Sequence, residues 1–197
     1  AIKWFDMIMQ FFSNFLDKRT EDEIETSMLK LPWYFNTIED DIRDISSKTP
    51  TYFVNLLGCE KHGTSSEDIK PFVPLLFKLE ELTKQSYINR IVRVKANLYT
   101  RRPDFEENHF HKPHLDLYNK ETMEGDEGEI FLYYANTSDG DTVFVNEGLA
   151  SHTFTVKKRI PHIKGTAVLF DNRQVHASSS PRISEYRMNI NFVFRKQ

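Results

Sequence analysis

The amino-acid sequence predicts a mainly β chain with helices: a jelly roll, or double-stranded β-helix, propped by an N-terminal helical buttress. Three observations carry this expectation. Short segments that alternate apolar and polar residues recur from residue 88 to the C-terminus. Aromatic residues make up 13% of the chain, with 16 Phe, and such side chains pack well on pleated surfaces. Helical periodicity is confined to the first half. Many short strands at regular spacing build sandwiches and barrels, and helices that precede them can cover one sheet. At 197 residues a single domain is the simplest account, with 1–87 as helical and strand support and 88–197 as the jelly-roll core.

The elements follow in order. The apolar run Ile8-Met9-Gln10-Phe11-Phe12 reads as a helix or strand with one buried face. A helix opens near residue 17, where Thr20 and Glu23 resemble a capping box and Ile24, Met28 and Leu29 share a face. Leu31-Pro32 breaks it and leads into the aromatic strand Trp33-Tyr34-Phe35. A strand over 52–58 precedes a helix that Ser65 or Ser66 can cap, with Pro71 and Pro74 near its start and Leu75, Leu76, Leu79 and Leu82 at helical spacing through Gln85. Strands are then expected over 91–99, 129–134, 142–145, 153–156, 165–170 and 187–194, with Asp139-Gly140-Asp141 as a hairpin signal before the third of these.

Composition narrows the function. The formal net charge is -3, without the basic excess of a protein that grips the phosphate backbone broadly. Clusters at Arg90, Arg93, Lys95, Arg101 and Arg102, and at Lys157, Lys158 and Arg159, read as solvated strand faces, although they could hold an anionic partner. The single cysteine, Cys59, excludes an intrachain disulfide and reads as a buried structural thiol, which fits a reducing, cytoplasmic setting. No run is apolar enough for membrane insertion, and no glycine-rich phosphate loop joins a strand to a helix.

His114-Leu115-Asp116 is the motif with chemistry in it. On a strand, residues two apart project from one face, so an imidazole and a carboxylate would point together. His176, after the strand over 168–170 and a turn at Asp171-Asn172, is the best third ligand. Two His and one carboxylate on one face of an octahedral ion leave three positions open, the donor set of non-haem iron(II) sites. Arg187 follows at the start of the last strand, where its planar fork could meet a carboxylate with paired hydrogen bonds.

Taken with Ala96-Asn97-Leu98-Tyr99, Leu132-Tyr133-Tyr134-Ala135-Asn136, Gly140-Asp141-Thr142-Val143-Phe144 and Gly165-Thr166-Ala167-Val168-Leu169-Phe170, these residues give the sequence a family likeness. Over about half its length, from Val92 to Phe194, it resembles the 2-oxoglutarate and iron(II)-dependent dioxygenases, in particular the prolyl-4-hydroxylase-like branch, and loosely the small oxygenases encoded by bacteriophages. The resemblance implies iron(II) on His114, Asp116 and His176, with 2-oxoglutarate and O2 as cosubstrates and ascorbate in support. It implies that Arg187, with Tyr99 or Tyr134, holds the distal carboxylate of 2-oxoglutarate. It further implies a peptide, protein or small-molecule substrate, prolyl-type hydroxylation of a peptidyl side chain, and an intracellular host. Animal collagen enzymes carry lysine where Arg187 stands, and the glycine pair common before the Thr142 strand is here Gly140-Asp141.

Other readings stay open on the residues alone. The motif could hold a structural ion in a jelly roll that turns nothing over, or serve an oxygenase acting on a nucleobase or a free amino acid. His109, His111 and His114 could form a zinc or cupin-type site, or the first two could line a substrate entrance. Arg182 rivals Arg187 but follows Pro181 in an expected loop. Asn189 and Asn191 share the Arg187 face and are expected to be strand amides satisfied by backbone. His62, His152 and His162 are expected at the surface.

Overall fold

The computed structural model describes residues 9–36, 52–60 and 67–197. Among these residues ten strands form two antiparallel sheets. They are β1 (Gln10–Phe12), β2 (Tyr34–Asn36), β3 (Tyr52–Cys59), β4 (Ile91–Thr100), β5 (Gly128–Tyr134), β6 (Ser138–Val145), β7 (Val156–His162), β8 (Ala167–Asp171), β9 (His176–Ser178) and β10 (Tyr186–Arg195). The major sheet runs β1-β8-β5-β10-β4-β3-β2, and the minor sheet runs β7-β6-β9. From β5 onward the chain crosses repeatedly between the two facing sheets, with β5, β8 and β10 in the major and β6, β7 and β9 in the minor, which makes the expected jelly roll.

Helices α1 (Lys18–Leu29) and α2 (Val73–Thr83) cover the outer face of the major sheet. Ile24 and Met28 of α1 and Leu75, Leu76 and Leu79 of α2 pack against Val94, Ala96, Phe131, Tyr133, Met188, Ile190 and Phe192. Each of these sheet residues lies on the same side of its strand by the two-residue repeat. The other side of the same strands faces the minor sheet. Ile130, Leu132 and Tyr134 of β5 and Val168 and Phe170 of β8 meet Phe144 and Ile160 there. The helical half therefore decides which side of β4 and β10 is core, and leaves Arg93, Lys95, Asn97 and Tyr99 with Arg187, Asn189 and Asn191 on the side that faces inward between the sheets.

Several local expectations are corrected. The cap of α1 is Asp17, whose carboxylate accepts from the Thr20 backbone N–H at 3.1 Å, so Thr20 lies inside the helix. The second helix begins later than expected, because a 3-10 stretch over Glu67–Phe72 precedes α2 and carries Pro71; Ser65 and Ser66 lie outside the described residues. The 8–12 run yields only the short strand β1, paired with β8 and largely exposed; Ile8 is outside the described residues. Asp139-Gly140-Asp141 is a register shift within β6 and not a hairpin turn, and β5 and β6 belong to different sheets. The strand expected at 153–156 starts at Val156. Cys59 ends β3 half-buried, less enclosed than expected. Among the described residues no helix is long and apolar enough to cross a membrane.

Candidate metal and carboxylate site

His114 is not on a regular strand. A single antiparallel bridge ties it to His176, with its N–H donating to the His176 carbonyl at 2.8 Å and the His176 N–H donating back at 3.1 Å. The bridge sets the two imidazoles side by side, with ring centroids 4.5 Å apart. Asp116, two residues on, brings its carboxylate to the same point. One ligand atom from each of His114, Asp116 and His176 falls within 4.8 Å of the others, the only such group of three among the described residues. Two imidazole nitrogens and one carboxylate oxygen form the donor set suited to iron(II).

Two of the three ligands are prepared by neighbours. His176 is buried and its Nδ1 lies 3.1 Å from the Gln174 carbonyl. A carbonyl only accepts, so the proton sits on Nδ1 and Nε2 keeps its lone pair for a metal. Gln174 is fixed in turn by donating to the Val145 carbonyl at 2.9 Å and accepting from Lys157 at 3.0 Å. The Asp116 carboxylate accepts from the Arg93 guanidinium on one oxygen and from Asn191 Nδ2 at 3.0 Å on the other. Burial alone would raise the Asp116 carboxyl, but the Arg93 guanidinium beside it works the other way, and the group is held well below the usual carboxylate range. Asp116 therefore stays ionised inside the fold.

Arg187 lies on the floor of the same cleft, 1% exposed. Its Nη2 donates to Thr142 Oγ1 at 3.0 Å, while Nε and Nη1 have no acceptor among the described residues. A buried guanidinium with two unpaired nitrogens is costly unless an anion meets it. The carboxylate of a dicarboxylic acid chelating a metal at the triad fits that requirement. Tyr99 lines the cleft, its ring 5.1 Å from the guanidinium carbon of Arg187. Burial raises its phenol, against the pull of Arg187, so it remains a protonated donor. Tyr134 instead donates to Thr142 Oγ1 at 2.9 Å and supports Arg187 through that hydroxyl. The structure thus separates the two tyrosines that the sequence left equivalent.

The remaining candidates do not join the metal cluster. His111 is buried in the cleft wall, stacked on Tyr99, with its ring nitrogens 2.9 Å from both Ser178 Oγ and Ser180 Oγ. Both nitrogens are occupied, which removes it from a three-histidine metal site. His109 pairs with Glu106. Arg182 is exposed and contacts Glu107. His152 is exposed, and His62 lies outside the described residues. His162, expected at the surface, is fully buried at the end of β7, its Nε2 bonded to the Met188 carbonyl at 2.9 Å. Asn189 accepts from Asn97 at 2.8 Å and Asn191 holds Asp116, so both serve other side chains rather than the backbone. Arg93, Lys95, Tyr52 and Thr142 are site residues that sequence reasoning missed.

No protein-family model matches the chain, and no curated protein matches it by sequence. Solved structures do match. A Burkholderia pseudomallei oxidoreductase of the 2OG-Fe(II) oxygenase family is 14% identical, with a TM-score of 0.62 over 97% of this chain and 86% of that one. The non-heme α-ketoglutarate-dependent epimerase SnoN of nogalamycin biosynthesis is 12% identical, with a TM-score of 0.60 over 95% and 80%. A prolyl hydroxylase from Trichoplax adhaerens, in complex with a hypoxia-inducible-factor oxygen-degradation-domain peptide, is 16% identical, with a TM-score of 0.59 over 94% and 83%. The chain has the jelly-roll fold of these 2-oxoglutarate and iron(II) oxygenase structures.

Proposed function

We propose that this chain is an iron(II)- and 2-oxoglutarate-dependent dioxygenase that hydroxylates a substrate C–H, with prolyl-type hydroxylation of a peptidyl side chain as its reaction. The observation that carries the reading is Arg187. A buried guanidinium with two unpaired nitrogens opens into the same cleft as a two-histidine, one-carboxylate cluster, and a metal-chelating dicarboxylic acid answers both. The fold shared with 2-oxoglutarate oxygenases supports it, and the Trichoplax enzyme with its peptide motivates the substrate class.

In this reading His114, Asp116 and His176 hold the ion. Iron(II) bound there with 2-oxoglutarate supplies the oxidation, in which dioxygen is consumed, succinate and carbon dioxide leave, and a substrate C–H becomes C–OH. The chain's own residues do the rest. Gln174 keeps Nε2 of His176 free to ligate, and Arg93 and Asn191 keep Asp116 charged and oriented. Arg187 and Tyr99 receive the distal carboxylate, while Tyr134 and Thr142 hold Arg187 in place. Leu132, Ala177 and the Tyr52–Tyr99 stack form apolar walls that limit water.

The test is succinate release from 2-oxoglutarate by the iron-loaded protein in air. Wild type is expected to form succinate, and His114→Ala and Asp116→Ala to fall to background while retaining the fold by circular dichroism. Metal binding without any succinate would instead favour a structural ion in a non-catalytic jelly roll.

A further inference from the structure

The inward face of the major sheet is a ladder of three rungs whose ends both carry a cation. Arg187 pairs with Tyr99 and Tyr52 at one end, Asn189 with Asn97 and Val54 in the middle, and Asn191 with Lys95 and Leu56 at the other. Four residues along a strand separate Tyr99 from Lys95, roughly 13 Å at the usual rise per residue. Arg187 and Lys95 therefore start from opposite ends of the ladder. The cleft they share is also lined by Lys112, and among the described residues no acidic one lines it apart from Asp116 of the metal cluster beside it.

The charges in the cleft do not balance without a further anion. Arg93 is matched by Asp116, and the dianion 2-oxoglutarate would offset a divalent ion, so the charges of Arg187 and Lys95 both stand in excess. Arg187 at least receives the distal carboxylate of 2-oxoglutarate, and Lys95 has no such group. Among the described residues its ammonium makes no hydrogen bond or ion pair; it faces the Tyr52 ring, 6.0 Å away, and feels the Asp116 carboxylate only at longer range. Burial disfavours its charge, and an arriving anion would restore it. Beside it Leu56 is 48% exposed on the same face of the sheet, an apolar shoulder next to the cation. Asn97 and Asn191, its neighbours on the ladder, each keep a buried side-chain oxygen without a donor.

We propose that Lys95 is the substrate-recognition residue of this cleft, and that the molecule oxidised there carries a carboxylate beside an apolar body and an N–H group. The inference rests on the oxygenase reading above. The carboxylate reaches Lys95, the N–H meets the free oxygen of Asn97 or Asn191, and the apolar part lies along Leu56 and Tyr52. Two sources share this chemistry: the free α-carboxylate of an amino acid derivative, and the side chain of an acidic residue in a peptide.

The experiment uses the whole chain with manganese(II) in place of iron, and calorimetry as the readout. In the first arm 2-oxoglutarate is titrated into wild type, Lys95→Met and Lys95→Arg. All three are expected to bind it within about twofold of one another, because Arg187 and the metal cluster are intact. In the second arm the 2-oxoglutarate complexes receive a panel of N-acetyl amino acids, each beside its uncharged primary amide. They also receive blocked peptides with an internal glutamate, beside the same peptides with glutamine. Wild type is expected to prefer members of at least one acidic set over their uncharged partners by about tenfold or more, the usual scale of a charged hydrogen bond. The set that shows the preference identifies the source. Lys95→Met should abolish it and Lys95→Arg should keep most of it.

If wild type binds 2-oxoglutarate but prefers neither acidic set, or if Lys95→Met keeps the preference, this inference is overturned and the proposed function stands. A loss of 2-oxoglutarate affinity in Lys95→Met would also overturn it, by assigning Lys95 to the cosubstrate. Failure of wild type to bind manganese and 2-oxoglutarate would overturn both.

Discussion

Arg187 shows what a single side chain contributes. Its planar fork reaches Thr142 with one nitrogen and keeps two for a ligand, and a lysine placed there would offer one compact charge instead. Arg187→Lys is expected to weaken 2-oxoglutarate binding by about tenfold, and Arg187→Met by a further order of magnitude, with metal affinity unchanged. Calorimetry with manganese separates the two effects. Arg93→Met should do the reverse, lowering metal affinity by about 10- to 100-fold through loss of the partner that steadies Asp116.

His111 gives a pH dependence. Burial, then the Arg187 guanidinium, pushes its imidazole down to about 3 from an ordinary value of 6.5, so it is neutral in the fold and protonates first in the unfolded chain. Its contribution to stability is complete above pH 6.5 and is lost as pH falls toward about 3, at up to about 1.4 kcal/mol per pH unit. Urea unfolding across that window should be flatter for His111→Gln than for wild type. Arg187 was legible in the sequence because it begins an alternating strand after a histidine. Lys95 and Arg93 were not, since alternation over 91–99 separates two faces without saying which is covered. The helices took the Val94-Ala96 face, so the charges expected in solvent turned inward.

Among the elements, the helices and the long strands were readable from periodicity, and the short or broken ones were not. Leu75, Leu76 and Leu79 repeat at helical spacing and all bury against the sheet. Leu79→Ala, at a fully buried position, is expected to lower stability by about 2–5 kcal/mol in denaturant unfolding. The three-residue β9 has no room for an alternating pattern, yet it carries His176 and pairs with β6. The expected strand at His114-Leu115-Asp116 reduces to one bridge, because Pro113 removes a donor just before it. At Gly140 a turn signal was really a close approach. A Cβ there would sit 2.8 Å from the Ser179 carbonyl and 2.9 Å from Cδ of Arg187. Gly140→Ala should therefore displace Arg187, costing about 1–3 kcal/mol of stability and weakening 2-oxoglutarate more than metal.

For the molecule as a whole, the jelly roll brings residues from distant parts of the chain into one cleft between its sheets. The family likeness covered about half the sequence, while the match to solved structures extends over nearly all of it. The difference lies in β1, β2 and β3, which join the major sheet from an N-terminal half whose sequence carries no motif. A bound ion that favours the folded chain should stabilise it by about 2.7 kcal/mol at a hundredfold excess over its Kd. In the proposed function His114, Asp116 and His176 would hold one iron(II) that 2-oxoglutarate chelates while Arg187 grips its far end. Anaerobic titration of the iron(II) protein with 2-oxoglutarate, followed by visible absorption, decides this. A charge-transfer band that saturates at one iron per chain and is absent in His176→Ala is the expected result. No band in wild type, or an equal band in His176→Ala, would contradict the assignment.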